Sequence, residues 1–126
     1  MKFDILSNKI LGAAIEVHKH LGPGLLESAY EECLSYELTK LGIHHKRQQP
    51  LPLIYKEVKL DHGYRIDILA EDKIIIEIKS VEILSPLHEA QILTYLRFAK
   101  KEIGLLINFN VLQLKNGIRR FVMTHI

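Results

Sequence analysis

Between Lys73 and Ser80 the chain reads KIIIEIKS, and this octapeptide restricts the fold more than any other segment. Side chains alternate between the two faces of a strand. Ile74, Ile76 and Ile78 therefore share one face, and Ile75, Glu77 and Lys79 share the other. The first face is purely apolar and must be covered. The second ends in a charged pair, which is either the wet side of an ordinary sheet or half of an active site.

Composition narrows the setting. The 126 residues are 48% hydrophobic, enough for one domain with a real core. A charged fraction of 25% is ordinary and excludes a disordered chain. The formal charge of +2 permits nucleic-acid binding without arguing for it, because binding faces depend on clustering. Cys33 is the only cysteine, which excludes an internal disulfide and a multi-cysteine zinc site; it reads as a small buried hydrophobe. The opening MKFDILSNK lacks the apolar core of a signal peptide, and no apolar run reaches membrane length. A soluble cytoplasmic protein without membrane contact is expected.

Periodicity predicts the elements. Apolar residues recur at steps of three and four over residues 4–21, which predicts a helix. LGPG at residues 21–24 stops it, since proline and glycine cannot continue a helix cheaply. A second helix follows to about Leu41, where Gly42 supplies the stop. Residues 43–49, 51–60, 64–69 and 74–79 read as strands. Ser85 as N-cap and Pro86 at the first helical position open a third helix to about Lys100. Residues 103–109 form a buried strand, and residues 111–114 and 118–123 a terminal hairpin around KNG. The expected order is α-α-β-β-β-β-α-β-β-β, an α/β (α+β) domain with a mixed sheet and helices.

In the strand over 64–69, Arg65, Asp67 and Leu69 share a face. An odd connection of Glu71, Asp72 and Lys73 sets Asp67 opposite Glu77 and Arg65 opposite Lys79, on one side of the sheet. A connection one residue shorter would turn the carboxylates to different faces. The odd connection is the expected one. Converging carboxylates repel, a cost that a divalent cation removes. Oxygen-only ligands suit Mg²⁺ or Mn²⁺ rather than zinc, and Lys79 would hold a phosphate oxygen or orient water.

Asp67, Glu77 and Lys79 across a hairpin followed by a helix resemble the PD-(D/E)XK nuclease superfamily. The segments GLLESAY, with Gly24, Glu27 and Tyr30, then YRIDIL, IIIEIKS, HEAQILTYLRF and GLLINFN resemble its GxxExxY branch over about residues 5–122. The resemblance implies a restriction-endonuclease-like central sheet flanked by helices, and metal-dependent phosphodiester cleavage. It implies Asp67, Glu77 and Glu27 as metal ligands, Lys79 as the catalytic lysine, and Gln91 and Tyr95 as a QxxxY pair stacked on one helix face. Ile66, not proline, precedes Asp67, a departure from the superfamily name.

Without the resemblance, Glu27 reads as a first-turn acid complementing the helix dipole. Tyr30 reads as core with its hydroxyl satisfied, and Gly24 as backbone geometry. None of the seven histidines forms a ligand pair on one helix face. Lys46-Arg47, Lys100-Lys101 and Arg119-Arg120 are candidate phosphate contacts. The leading expectation is a Mg²⁺- or Mn²⁺-dependent nuclease acting on DNA. The alternatives are a non-catalytic nucleic-acid- or protein-binding module on the same fold, and an oligomerisation module exposing the terminal hairpin edge. A domain this small covers little duplex alone, which leaves a homodimer open.

Overall fold

The computed structural model describes residues 4–125. Helix α1 spans Ile5–Leu21 and is capped by Asp4, whose carboxylate accepts the Ser7 N–H at 2.8 Å. It ends at Gly22, where φ is 67° and the N–H returns to His18 O; that left-handed conformation suits glycine. Helix α2 spans Glu27–Lys40. Seven strands follow with one further helix: β1 His45–Pro50, β2 Leu53–Tyr55, β3 Val58–Leu60, β4 Arg65–Ala70, β5 Ile74–Lys79, α3 Pro86–Ala99, β6 Ile103–Asn108 and β7 Ile118–Val122.

Five strands form one sheet in the order β1-β4-β5-β6-β7. All neighbours are antiparallel except β5 and β6, which run parallel because α3 crosses between them. Strand β5 is therefore central. Ile68, Ile76, Ile78, Leu105 and Ile107 face α1 and α2, while Leu69, Ile75 and Leu106 face Ile92, Tyr95 and Leu96 of α3. Coverage of both faces explains the isoleucine run, each buried side chain contributing about 2 kcal/mol. The expected mixed sheet flanked by helices is the observed architecture. No helix among the described residues is long and apolar enough to cross a membrane.

Two element readings differ. Residues 51–60 are not one strand but β2 and β3, a separate two-stranded antiparallel sheet. The chain reverses because Lys56 adopts φ 53°, a left-handed turn conformation that alternation of apolar residues does not reveal. Residues 111–114 form no strand. His18 Nε2 bonds Val111 O at 2.8 Å, and Leu114 enters the core at the start of a 3₁₀ turn, Leu114–Gly117. Only β7 joins the sheet there. Cys33 is partly buried against the α1–α2 core.

Two glycines make the packing testable. Gly117 lies so close to Asn108 O that a Cβ would fall far inside van der Waals contact with backbone, whereas Gly12, exposed within α1, has nothing within 4 Å. Gly12→Ala should gain about 1 kcal/mol from helix propensity and raise the thermal midpoint by a few degrees. Gly117→Ala should lower it, at a cost of about 2 kcal/mol. Equal melting of the two variants would mean the 3₁₀ turn does not pack on β6 as described.

Candidate active site

Strands β4 and β5 pair at Ala70↔Ile74, Leu69↔Ile75 and Ile68↔Ile76. That register follows from a three-residue connection, and it makes Asp67 and Glu77 the next opposed positions. There the backbone ladder stops. The Asp67 N–H donates instead to Glu77 Oε2 at 2.9 Å, and the Ile78 N–H donates to Asp67 Oδ2 at 2.8 Å. Each carboxylate thus satisfies a buried backbone donor on the opposite strand. Connection geometry contributes: Glu71 and Asp72 have φ 53° and 55°, and Lys73 N–H closes the turn onto Ala70 O.

The opening extends to the other neighbour of β4. Strand β1 pairs through Arg47↔Ile68, omits a Gln48–Asp67 pair and resumes at Gln49↔Ile66. Ile66, which shares a strand parity with Ile68, joins the α3-side cluster while Ile68 stays on the α1–α2 side. The acids consequently lie where the sheet parts, within reach of both helical layers, rather than on one flat face.

Burial dominates the electrostatics. Glu77 is only 3% exposed, and its carboxyl is pushed up to about 8 by burial and then by the neighbouring Asp67 charge. Asp67 is also raised, first by burial, with Glu31 adding repulsion and the Ile78 N–H opposing. The Lys79 ammonium favours the charged form of both acids.

Helix α3 brings Tyr95 to this pair. Its hydroxyl is raised by burial and then by the charges of Glu77 and Asp67, so it stays protonated beside them. Gln91 Nε2 approaches the Tyr95 oxygen at 3.5 Å. The helix start is fixed by Ser85 and His88, whose side chains each accept the other's backbone N–H.

Helix α2 contributes two acids. Glu27 Oε2 accepts the Ser80 N–H at 3.3 Å, one residue beyond Lys79. Tyr30 is fully buried and stacks on Phe109 with ring centroids 4.5 Å apart. Its hydroxyl donates to Gly22 O and accepts from Leu25 N–H, tying down the loop that precedes Glu27. The sequence reading passed over Glu31, one turn further on. It is 7% exposed, and its carboxylate accepts from Arg47 Nε at 3.0 Å and Gln48 Nε2 at 2.6 Å. Its spacing of four from Glu27 placed it on the same helix face. Gln48 itself carried no sequence signal.

Asp67, Glu77, Lys79 and Tyr95 thus interact electrostatically, while Gln91 is linked to them only through Tyr95, Glu27 lies at the Ser80 end and Glu31 acts on Asp67. Among the described residues no group of three or more His, Cys, Asp and Glu side chains is arranged to hold a metal ion. Half-buried Asp67 and buried Glu77 nevertheless offer hard oxygen donors, whose mutual repulsion a divalent cation would relieve. The basic clusters are largely committed elsewhere: Arg47 to Glu31, Lys101 to Asp72, Arg119 to Glu89 and Arg120 to Asp4.

Residues 4–121 match the PD-(D/E)XK nuclease superfamily, and the chain belongs to that superfamily. No curated protein and no solved structure matches.

The raised Glu77 carboxyl sets a sign for pH dependence. Its folded value, about 8, exceeds the ordinary 4.5, so the folded state holds a proton that the unfolded chain releases earlier. Stability from this group is present below about pH 4.5 and is lost as pH rises through about 8. In chelator, the denaturant midpoint should fall across that window, and Glu77→Gln should flatten the fall. A midpoint that rises with pH would contradict the buried-acid geometry.

Proposed function

We propose that the protein is a divalent-metal-dependent nuclease of the GxxExxY branch, hydrolysing phosphodiester bonds in DNA. The observation that carries the reading is half-buried Asp67 interlocked with buried Glu77 at the parted ladder, with Lys79 two residues along. Membership of the superfamily supports a nucleic-acid substrate and the use of divalent metal. Asp67 and Glu77 would hold Mg²⁺ or Mn²⁺, with Glu27 of α2 as the further acid. When bound, the ion supplies Lewis-acid activation of water and charge neutralisation at the phosphate.

The remaining roles belong to the chain. Lys79 presents its ammonium to a phosphoryl oxygen and stabilises charge that develops there. Tyr95 and Gln91, on consecutive turns of α3, orient the phosphate or the attacking water by hydrogen bonds. Four of the six residues in the basic clusters are paired with acids, so substrate attraction there falls on Lys46 and Lys100, together with Lys79 and the bound ion.

Calorimetry of Mn²⁺ binding tests this, on the native protein and on Asp67→Ala combined with Glu77→Ala, with and without a short DNA duplex. Binding should vanish in the double variant. Lys79→Ala should keep metal binding and lose about a hundredfold or more in cleavage. Parallel assays on an RNA duplex decide the substrate class. No binding under any condition would overturn the metal reading and favour a non-catalytic binding module.

A further inference from the structure

Gln48 is the strained residue of this site. It lies inside strand β1 yet has φ 50°, a left-handed conformation that glycine or asparagine adopts far more readily. The strain falls at the one rung missing between Arg47↔Ile68 and Gln49↔Ile66. That position faces Asp67. An ordinary strand conformation would continue the ladder with β4, so something about this side chain sustains the distortion.

The contacts indicate what that is. Gln48 Nε2 donates to Glu31 Oε1 at 2.6 Å and to Asp67 Oδ1 at 3.3 Å. One amide nitrogen carries two hydrogens, and here it lies between two carboxylates from different elements. Arg47, the preceding residue, holds the other oxygen of Glu31. Consecutive residues of β1 therefore grip the buried Glu31, and only the second reaches on to Asp67. The opposite oxygen of Asp67 is taken by the Ile78 N–H. Gln48 and Ile78 between them fix both oxygens of the carboxylate.

We infer that Gln48 is a positioning residue, whose amide bridges Glu31 and Asp67 and sets the Asp67 carboxylate in the orientation that metal binding and cleavage require. The inference rests on the nuclease reading for its consequence, but not for its geometry. Gln48 touches neither metal nor substrate in this role; it acts through Asp67. Partners of metal-binding carboxylates typically affect metal affinity by about ten- to a hundredfold when removed.

A glycine substitution separates this role from a merely structural one. Gln48→Gly relieves the left-handed backbone while deleting the amide. Its thermal midpoint should stay within a few degrees of native, while Mn²⁺ affinity weakens about tenfold or more. In cleavage, kcat should fall with KM for the DNA duplex unchanged. Gln48→Asn, which tolerates the conformation and keeps an amide, should recover part of the loss. Independently of activity, the Gln48 side-chain amide resonances should shift in Asp67→Asn and in Glu31→Gln. Resonances that ignore both substitutions would overturn the bridge. A native protein that binds Mn²⁺ and cuts DNA no better than Gln48→Gly would overturn the positioning role alone. A native protein that does neither would overturn the nuclease reading, and the positioning role with it.

Discussion

The site depends on an exchange of partners at one rung of the sheet. Two backbone N–H groups, of Asp67 and Ile78, lack carbonyl acceptors where β4 and β5 part and are bonded by Glu77 and Asp67 carboxylates instead. Burying an unsatisfied N–H costs roughly 1–3 kcal/mol, so the exchange stabilises the opening. Bringing two acids into an isoleucine-lined interior opposes it, and the elevated Glu77 carboxyl records that opposition. Neither force alone keeps the strands apart. The backbone donors need the oxygens, and the oxygens need compensating charge.

The position of the opening decides which helices can contribute. Side chains on one face of a closed sheet meet only the layer covering that face. Here α2 and α3 lie on opposite faces, and both supply residues to the site: Glu31 reaches Asp67 through Gln48, while Tyr95 senses the charges of both acids. The loop before α2 is held by the Tyr30 hydroxyl, which sets the depth at which Glu27 meets Ser80. Val81, next along, is pinned by the buried Asn108 amide. Rigid elements therefore frame the pair on several sides, as a preorganised site requires.

What the sequence disclosed followed from periodicity and counting. The two-residue repeat of β5, the Ser85–Pro86 start of α3 and the three-residue connection determining the Asp67–Glu77 register were all readable, because each is local. The β2–β3 hairpin was not. Its reversal at Lys56 uses a residue type that rarely takes φ above zero. Leu114 escaped for another reason: an apolar residue in a strand-like run gave no sign that it would anchor a 3₁₀ turn. Glu31 and Gln48 were missed because their significance is a contact across β1, α2 and β4. Pairing of elements this far apart is a tertiary fact, and the strain at Gln48 appears only once the backbone is known.

The charges around the opening give the site two ways to reach balance. Glu31, Asp67 and Glu77 carry three negative charges when ionised, against Arg47 and Lys79. A proton on Glu77 removes one negative charge, consistent with a carboxyl titrating near 8. In the proposed metal site a divalent cation would neutralise the pair without that proton, since ligating carboxylates are bound deprotonated. Proton and cation would then compete for one deficit, and metal affinity should strengthen as pH rises toward 8. Phosphate adds negative charge to the same place, so in the nuclease reading substrate and cation favour each other's binding. The Gln48 amide donates to two carboxylates without adding charge, bridging Glu31 and Asp67 while leaving their negative charge in place.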